Sequence, residues 1–287
     1  MTSTGTATTT LPTADGRTLA VDVLGAADAP VLLLCHPAPG SRRIDPDPAA
    51  TAAAGLRLVT VDRPGYGGST VATTPRTIPE LADDLAAVLD GLGVTDASVA
   101  GWSAGGRVAM ALAARHPDRV RAVGLLATPA PDDELPWYGH AERAMIDSLR
   151  GLEPGPAAEA IVDMFAQFGA ADAGPSALGS GPDDEVLLRR PAIREQVERM
   201  LAEGLRPGLA GLAADLVSYT LLPWGFDPRA VGAPVRCWYG ATDQLVPVAH
   251  GQWWAAQAAD ARVESVSGVG HLVPYAMWSE LLGWARN

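Results

Sequence analysis

A serine hydroxyl attacks a carbonyl only when a base can take its proton and a carboxylate holds that base in the right tautomer. The segment Gly101-Trp102-Ser103-Ala104-Gly105-Gly106 has the spacing G-x-S-x-G, which places a serine on a sharp strand-to-helix turn with its Oγ projecting above a sheet. Side chains at Gly101 and Gly105 would clash where strand and helix pack this tightly. Of the five histidines, His36 ends a strand, His116 ends the helix after Ser103, His140 falls in a helical insertion and His250 in a helix. Only His271, in Gly268-Val-Gly-His-Leu272, occupies a glycine-rich loop directly after the final strand-like run. Asp243, in Tyr239-Gly-Ala-Thr-Asp-Gln-Leu-Val-Pro247, follows the preceding run in the same way. Serine, aspartate and histidine in this order, each after its own strand, predict acyl transfer through Ser103, Asp243 and His271.

The elements that must position these residues are legible in the hydrophobic pattern. A hairpin is expected around the turn Ala14-Asp15-Gly16, with Leu11 before it and the alternating Leu19, Val21 and Val23 after it. The apolar runs Val31–Cys35, Leu56–Val61, Ala97–Ala100 and Ala122–Ala127 suit strands covered on both faces. Leu81, Leu85, Val88, Leu89 and Leu92 recur at helical spacing between the second and third of these runs; Thr77 and Glu80 have capping-box spacing, and Gly93 supplies a stop. Strand, helix, strand repeated predicts an α/β chain, a mostly parallel, doubly wound sheet with right-handed crossovers.

The rhythm breaks after Ala127 and resumes at Val235–Tyr239, followed by a helix near Val248–Ala258, a strand at Val263–Val266 and a last helix near Tyr275–Trp284. Helix-like stretches at Glu142–Leu149, Ala157–Phe168, Ile193–Leu205 and Leu209–Leu221 fill the gap. A crossover needs far fewer residues, so residues 128–230 are expected to form a helical cap inserted into a core made of residues 1–127 and 231–287.

Composition excludes whole chemistries. All 21 basic residues are arginine, so no lysine can form a Schiff base, anchor a pyridoxal or bind phosphate in a Walker loop. A net charge of −12 repels polyanions, which argues against nucleic acid. Cys35 and Cys237 sit inside apolar runs and read as core thiols rather than a disulfide or metal pair. The threonine-rich start lacks the basic and apolar regions of a signal peptide, and no apolar run approaches a membrane span. The expectation is a cytoplasmic protein with no membrane association.

With these segments in place, the chain resembles the α/β-hydrolase family from about Leu19 to the C-terminus. Gly101–Gly105 matches the family's nucleophile elbow, Asp243 its acid and His271 its terminal histidine. His36-Pro-Ala-Pro-Gly-Ser41 resembles the HG-x-P-G-S loop, and Asp62-Arg-Pro-Gly-Tyr-Gly-Gly-Ser69 the D-x-P-G-x-G-x-S loop. The resemblance implies an oxyanion hole built from the backbone N–H groups of Ala104 and Ala38, since Pro37 and Pro39 have none to give. Proline at position 37, where the family usually has glycine, is a departure that could reshape this loop. His36 is expected to brace its loop, and Asp62 and Arg63 to serve as turn and salt-bridge residues.

The implied activity is that of a carboxylesterase-like serine hydrolase acting on a small, apolar substrate, with no cofactor and no metal. Thioester, lactone and carbon–carbon bond hydrolysis share the same machinery. Two other readings keep the scaffold: a cofactor-free haloperoxidase-type perhydrolase, and a non-catalytic small-molecule-binding homologue. A homo-oligomer is compatible with all three. Trp102, beside the nucleophile, is a candidate substrate-binding residue that could equally pack under the turn. The aromatic residues Trp137, Tyr138, Phe165, Phe168, Trp224 and Phe226 of the cap have the spacing of packing groups. The acid run Asp183-Asp184-Glu185 reads as a solvated loop.

Overall fold

The computed structural model describes residues 6–136, 140–167, 174–179 and 181–286. Its centre is one eight-stranded sheet. β1 (Ala7–Pro12) and β2 (Thr18–Leu24) form the expected hairpin, and β2 pairs antiparallel with β4 (Arg57–Val61). β3 (Val31–Cys35), β4, β5 (Ala97–Trp102), β6 (Val120–Leu126), β7 (Val235–Gly240) and β8 (Ala261–Val266) are mutually parallel. The spatial order is β1-β2-β4-β3-β5-β6-β7-β8.

Alternation along the strands divides the core. Val31, Leu33 and Cys35 face one side with Val59, Val99 and Cys237. There they meet α2 (Ile78–Gly91), α3 (Ala104–Arg115) and α9 (Val248–Gln257). Leu32 and Leu34 face the other side with Leu58, Ala100 and Trp238, against α10 (Pro274–Ala285) and the short α1 (Pro48–Ala53). Strands buried on both faces have no polar alternation to show, so they appear in the sequence as unbroken apolar runs. The capping box of α2 forms as its spacing predicts, with the Glu80 carboxylate accepting from the Thr77 N–H at 2.8 Å.

Between β6 and β7 lie α4 (His140–Leu149), α5 (Pro154–Gln167), α6 (Pro182–Leu188), α7 (Pro191–Gly204) and α8 (Ala210–Thr220). These helices do not share one core. Leu149, Ala157, Ile161, Ala213 and Val217 make a small cluster among α4, α5 and α8. Leu188, Val197, Met200 and Leu201 of α6 and α7 instead join the cluster beneath the sheet's other face. One expectation fails here: the acid run does not remain a solvated loop. It opens α6, and Asp184 is fully buried. Burial is tolerated because the carboxylate collects backbone N–H partners, described below.

The chain moves from β3 outward to β4, then returns across β3 to β5. That reversal opens a crevice at the carboxyl ends of β3 and β5, where sheets of this kind place their ligands. The loop after β3 carries Ala38, and the turn after β5 carries Ser103.

Candidate active site

Ser103 is the residue before α3 and has φ 53° and ψ −122°, a conformation that L-residues avoid and that costs of order 1–3 kcal/mol unless the surroundings impose it. They do. The Ser103 N–H donates to the Leu126 carbonyl at 2.7 Å and its own carbonyl accepts from Gly106 N–H at 3.1 Å. A Cβ at Gly101 would overlap the backbone of Gly105 and Gly106, and one at Gly105 would overlap the Cys35 carbonyl and lie 2.6 Å from that of His36. The two glycines therefore let helix and strand close on the serine, as their spacing predicts. Gly105→Ala is expected to lower stability by about 1–3 kcal/mol through overpacking against rigid backbone. Thermal unfolding checks it: an unchanged midpoint would show that this contact is not tight.

The turn places Ser103 in the wall of a cavity of about 350 Å³, together with Ala38, Ala104 and His271. His271 Nδ1 and Asp243 Oδ2 are 2.8 Å apart, and both residues are buried. The other oxygen, Asp243 Oδ1, accepts from the Leu245 and Val246 N–H groups, each at 2.9 Å. The carboxylate is thus fixed by its own loop and left with one face for the imidazole. An Nδ1–H donated to Asp243 leaves Nε2 free to accept a proton. Asp132, in the loop after β6, pairs with Arg107 instead.

Trp102 does not line the cavity. Its ring is buried beneath the turn, and its Nε1–H donates to the His271 carbonyl at 2.9 Å. Its link to the site is through the histidine, by this bond to the backbone and by a tilted contact with the imidazole, ring centroids 5.9 Å apart.

The loop after β3 is held from behind. His36 Nδ1–H donates to the Pro37 carbonyl at 2.7 Å, and its Nε2 accepts from the Arg63 N–H at 3.1 Å. Burial, helped by the Arg63 charge, drives the His36 pKa well below its ordinary 6.5, which favours the neutral imidazole that braces the loop through both ring nitrogens. The Arg63 guanidinium donates to the carbonyls of His36 at 2.5 Å and Pro37 at 2.9 Å and grips Asp215 of α8 through Nε and Nη2. Asp62 accepts from the Arg42 N–H at 2.6 Å and the Gly68 N–H at 2.8 Å, and pairs with the Arg42 side chain. Its carboxyl is pushed up by burial despite these partners.

Two site residues were not anticipated. Arg107 lies one helical turn beyond Ser103 in the cavity wall and is fully buried. It donates to the Pro129 and Ala130 carbonyls and lies against the rings of Tyr219 and Trp224. An arginine among the small and apolar residues of α3 was the available signal. Asp215 is the second; a lone acid in the apolar Leu212–Val217 stretch gave its only sign. The rest of the cavity lining is mostly apolar, with Ser176 and Tyr219 as further polar residues, and of the aromatic residues noted above, Phe165 lines it. Trp224, behind Arg107, stacks on Phe226 without lining the cavity, and Trp137, Tyr138 and Phe168 lie outside the described residues. Burial pushes the Cys35 and Cys237 thiols up to about 12, consistent with inert core residues. Among the described residues no group of side chains could hold a metal ion, and no helix is long and apolar enough to cross a membrane.

This arrangement has relatives. The family model described as the alpha/beta hydrolase fold matches residues 30–275. A pimeloyl-[acyl-carrier protein] methyl ester esterase of Aromatoleum aromaticum is 33% identical over 233 residues, which cover 76% of this chain and 81% of that protein. A hydrolase from Pseudomonas aeruginosa superposes with a TM-score of 0.69 at 26% identity, covering 96% of each chain. An esterase from Exiguobacterium antarcticum, at 18% identity, shares the fold with a TM-score of 0.72 over 97% of this chain and 99% of its own. The strand order, the strained serine and the match across residues 30–275 make this chain an enzyme of the α/β-hydrolase family.

Proposed function

We propose that the protein is a serine esterase of small, apolar acyl substrates, using Ser103 as nucleophile, His271 as general base and acid, and Asp243 as the group that orients the histidine. The observation that carries this reading is the shared cavity of Ser103 and His271, with the histidine's Nδ1 already paired to Asp243 at 2.8 Å. His271 removes the Ser103 proton as Oγ attacks the ester carbonyl, and Asp243 stabilises the imidazolium that results. The N–H groups of Ala104, at the start of α3, and of Ala38 receive the developing oxyanion; one such donor typically lowers the barrier by about 3–4 kcal/mol. The protonated His271 then gives its proton to the leaving alcohol, and water repeats the sequence on the acyl-serine.

Helices α4–α8 act as the cap of residues 128–230, and α5, α8 and the segment 174–179 supply the acyl side of the pocket. Phe165, Leu212 and Leu216 give it an apolar wall, and the Arg107 charge is met by Asp132 and two carbonyls. The named esterase relative supports ester hydrolysis. A cytoplasmic setting accords with two unpaired cysteines.

A series of p-nitrophenyl esters tests the reading. A cavity of about 350 Å³ is at the small end of ligand sites, so kcat/KM is expected to peak at short to medium acyl chains and fall for long ones. Peracid formation outpacing hydrolysis in acetate and peroxide would favour the perhydrolase reading. Absence of both turnover and fluorophosphonate labelling would remove the esterase assignment.

A further inference from the structure

The loop that carries His271 is held at four points, one of which comes from the helical insertion. Asp184, the third residue of α6, is completely buried. Its Oδ1 accepts from the N–H of Gly270 at 2.9 Å and of Leu272 at 3.2 Å, and its Oδ2 from the N–H of His271 at 2.8 Å. Oδ2 also accepts from Gly181 N–H at 3.2 Å, within its own segment. Three successive amides thus converge on one carboxylate. The approach is close enough that a Cβ on Gly270 would lie 2.7 Å from Oδ2 and would have to displace the carboxylate. The other points are the Asp243 bond to the imidazole, the Trp102 bond to the His271 carbonyl, and the bond from the Thr242 N–H to the Val269 carbonyl at 3.3 Å. These last three belong to the core. Asp184 does not.

We infer that Asp184 is a positioning residue that makes the geometry of the catalytic triad depend on the seating of α6. The inference rests on the Ser103–His271–Asp243 reading above. A carboxylate anion accepts from several N–H groups at once, each bond stronger than between neutral partners. No other residue type of this size can do so: an asparagine, in either amide orientation, turns an NH₂ group toward two N–H donors. If α6 lifts, three buried amides lose their acceptor together and the histidine backbone is released. The insertion thereby reports its closed position to the base, and a misplacement of about 1 Å at a catalytic group is enough to cost about 10²-fold in rate.

The test compares the wild type, Asp184→Asn, Asp184→Ala and Glu185→Ala, the last removing an exposed acid from the same helix. Each is assayed on a p-nitrophenyl ester, with kcat expressed per site titrated by a fluorophosphonate. The expected result is a loss in kcat of about 10-fold for Asp184→Asn and about 10²-fold for Asp184→Ala, with KM within about 2-fold and Glu185→Ala unchanged. A purely structural residue would lower the number of titratable sites and leave kcat per site intact; that outcome overturns the proposal. Should the Asp184 variants fail to fold, native-state hydrogen exchange on the wild type decides. The amides of residues 270–272 are expected to open together with those of α6, and independent opening overturns the coupling. A wild type that neither labels nor turns over would instead overturn the triad reading, and this inference with it.

Discussion

Replacing Ser103 by alanine is expected to abolish fluorophosphonate labelling and to lower kcat on a p-nitrophenyl ester by about 10⁶-fold, while the fold persists. What remains is the catalysis of a pocket that binds and polarises the ester without attacking it. The size of the effect follows from the roles assigned: His271 and Asp243 act only through the Ser103 hydroxyl, so removing that hydroxyl silences all three. Ser103→Gly is expected to be equally inactive yet more stable than the wild type by about 1 kcal/mol, because glycine adopts φ 53° without the Cβ conflict. The pair of variants separates the two functions of the turn, since activity should vanish in both and the unfolding midpoint should rise only in the glycine variant. Retained turnover in Ser103→Ala would end the serine-nucleophile assignment.

Asp243→Asn is expected to lower kcat by about 10⁴-fold with little change in KM or in thermal stability. The Leu245 and Val246 N–H groups both donate to Oδ1, so the asparagine oxygen is claimed by that site and its NH₂ must face His271. Facing a donor, Nδ1 has to become the acceptor and the proton moves to Nε2. An imidazole in that tautomer cannot take the Ser103 proton. The substituted side chain has nearly the same shape and keeps its loop contacts, which is why stability should be spared. Steady-state kinetics together with thermal unfolding measure both halves of this expectation. A loss of less than about 10-fold would mean that another carboxylate orients the histidine.

Much of this site was legible in the sequence because it depends on local geometry. The glycines at 101 and 105 report a tight turn through the absence of side chains, and the turn itself strains the serine between them. Asp243 and His271 were found by position, each in a loop directly after a strand, because a parallel sheet gathers all its carboxyl ends at one edge. The capping box at Thr77 and Glu80 is likewise a short-range device, readable from four residues. Trp102 remained ambiguous for the opposite reason. An indole next to Ser103 has the same composition whether it faces the pocket or the core, and only the direction of its Nε1–H, toward the His271 carbonyl, separates the two.

Asp184 was read as solvated because a run of three acids ordinarily is, and that reading prices the carboxylate as an isolated charge. Its partners lie 86 to 88 residues away, on a loop whose amides have no side chain to announce them. The same holds for Asp215 and Arg63, separated by 152 residues, and for Arg107, whose charge is met by carbonyls in the loop after β6. The sequence by itself determined the sheet, the strained turn at Ser103 and the placing of Ser103, Asp243 and His271 along one sheet edge, since apolar periodicity, backbone sterics and the fixed handedness of crossovers act over short stretches of chain. Only the tertiary structure decided how the helices between β6 and β7 fasten to the loop that carries His271, because a buried charge is stabilised by whichever distant N–H groups the folded chain brings to it.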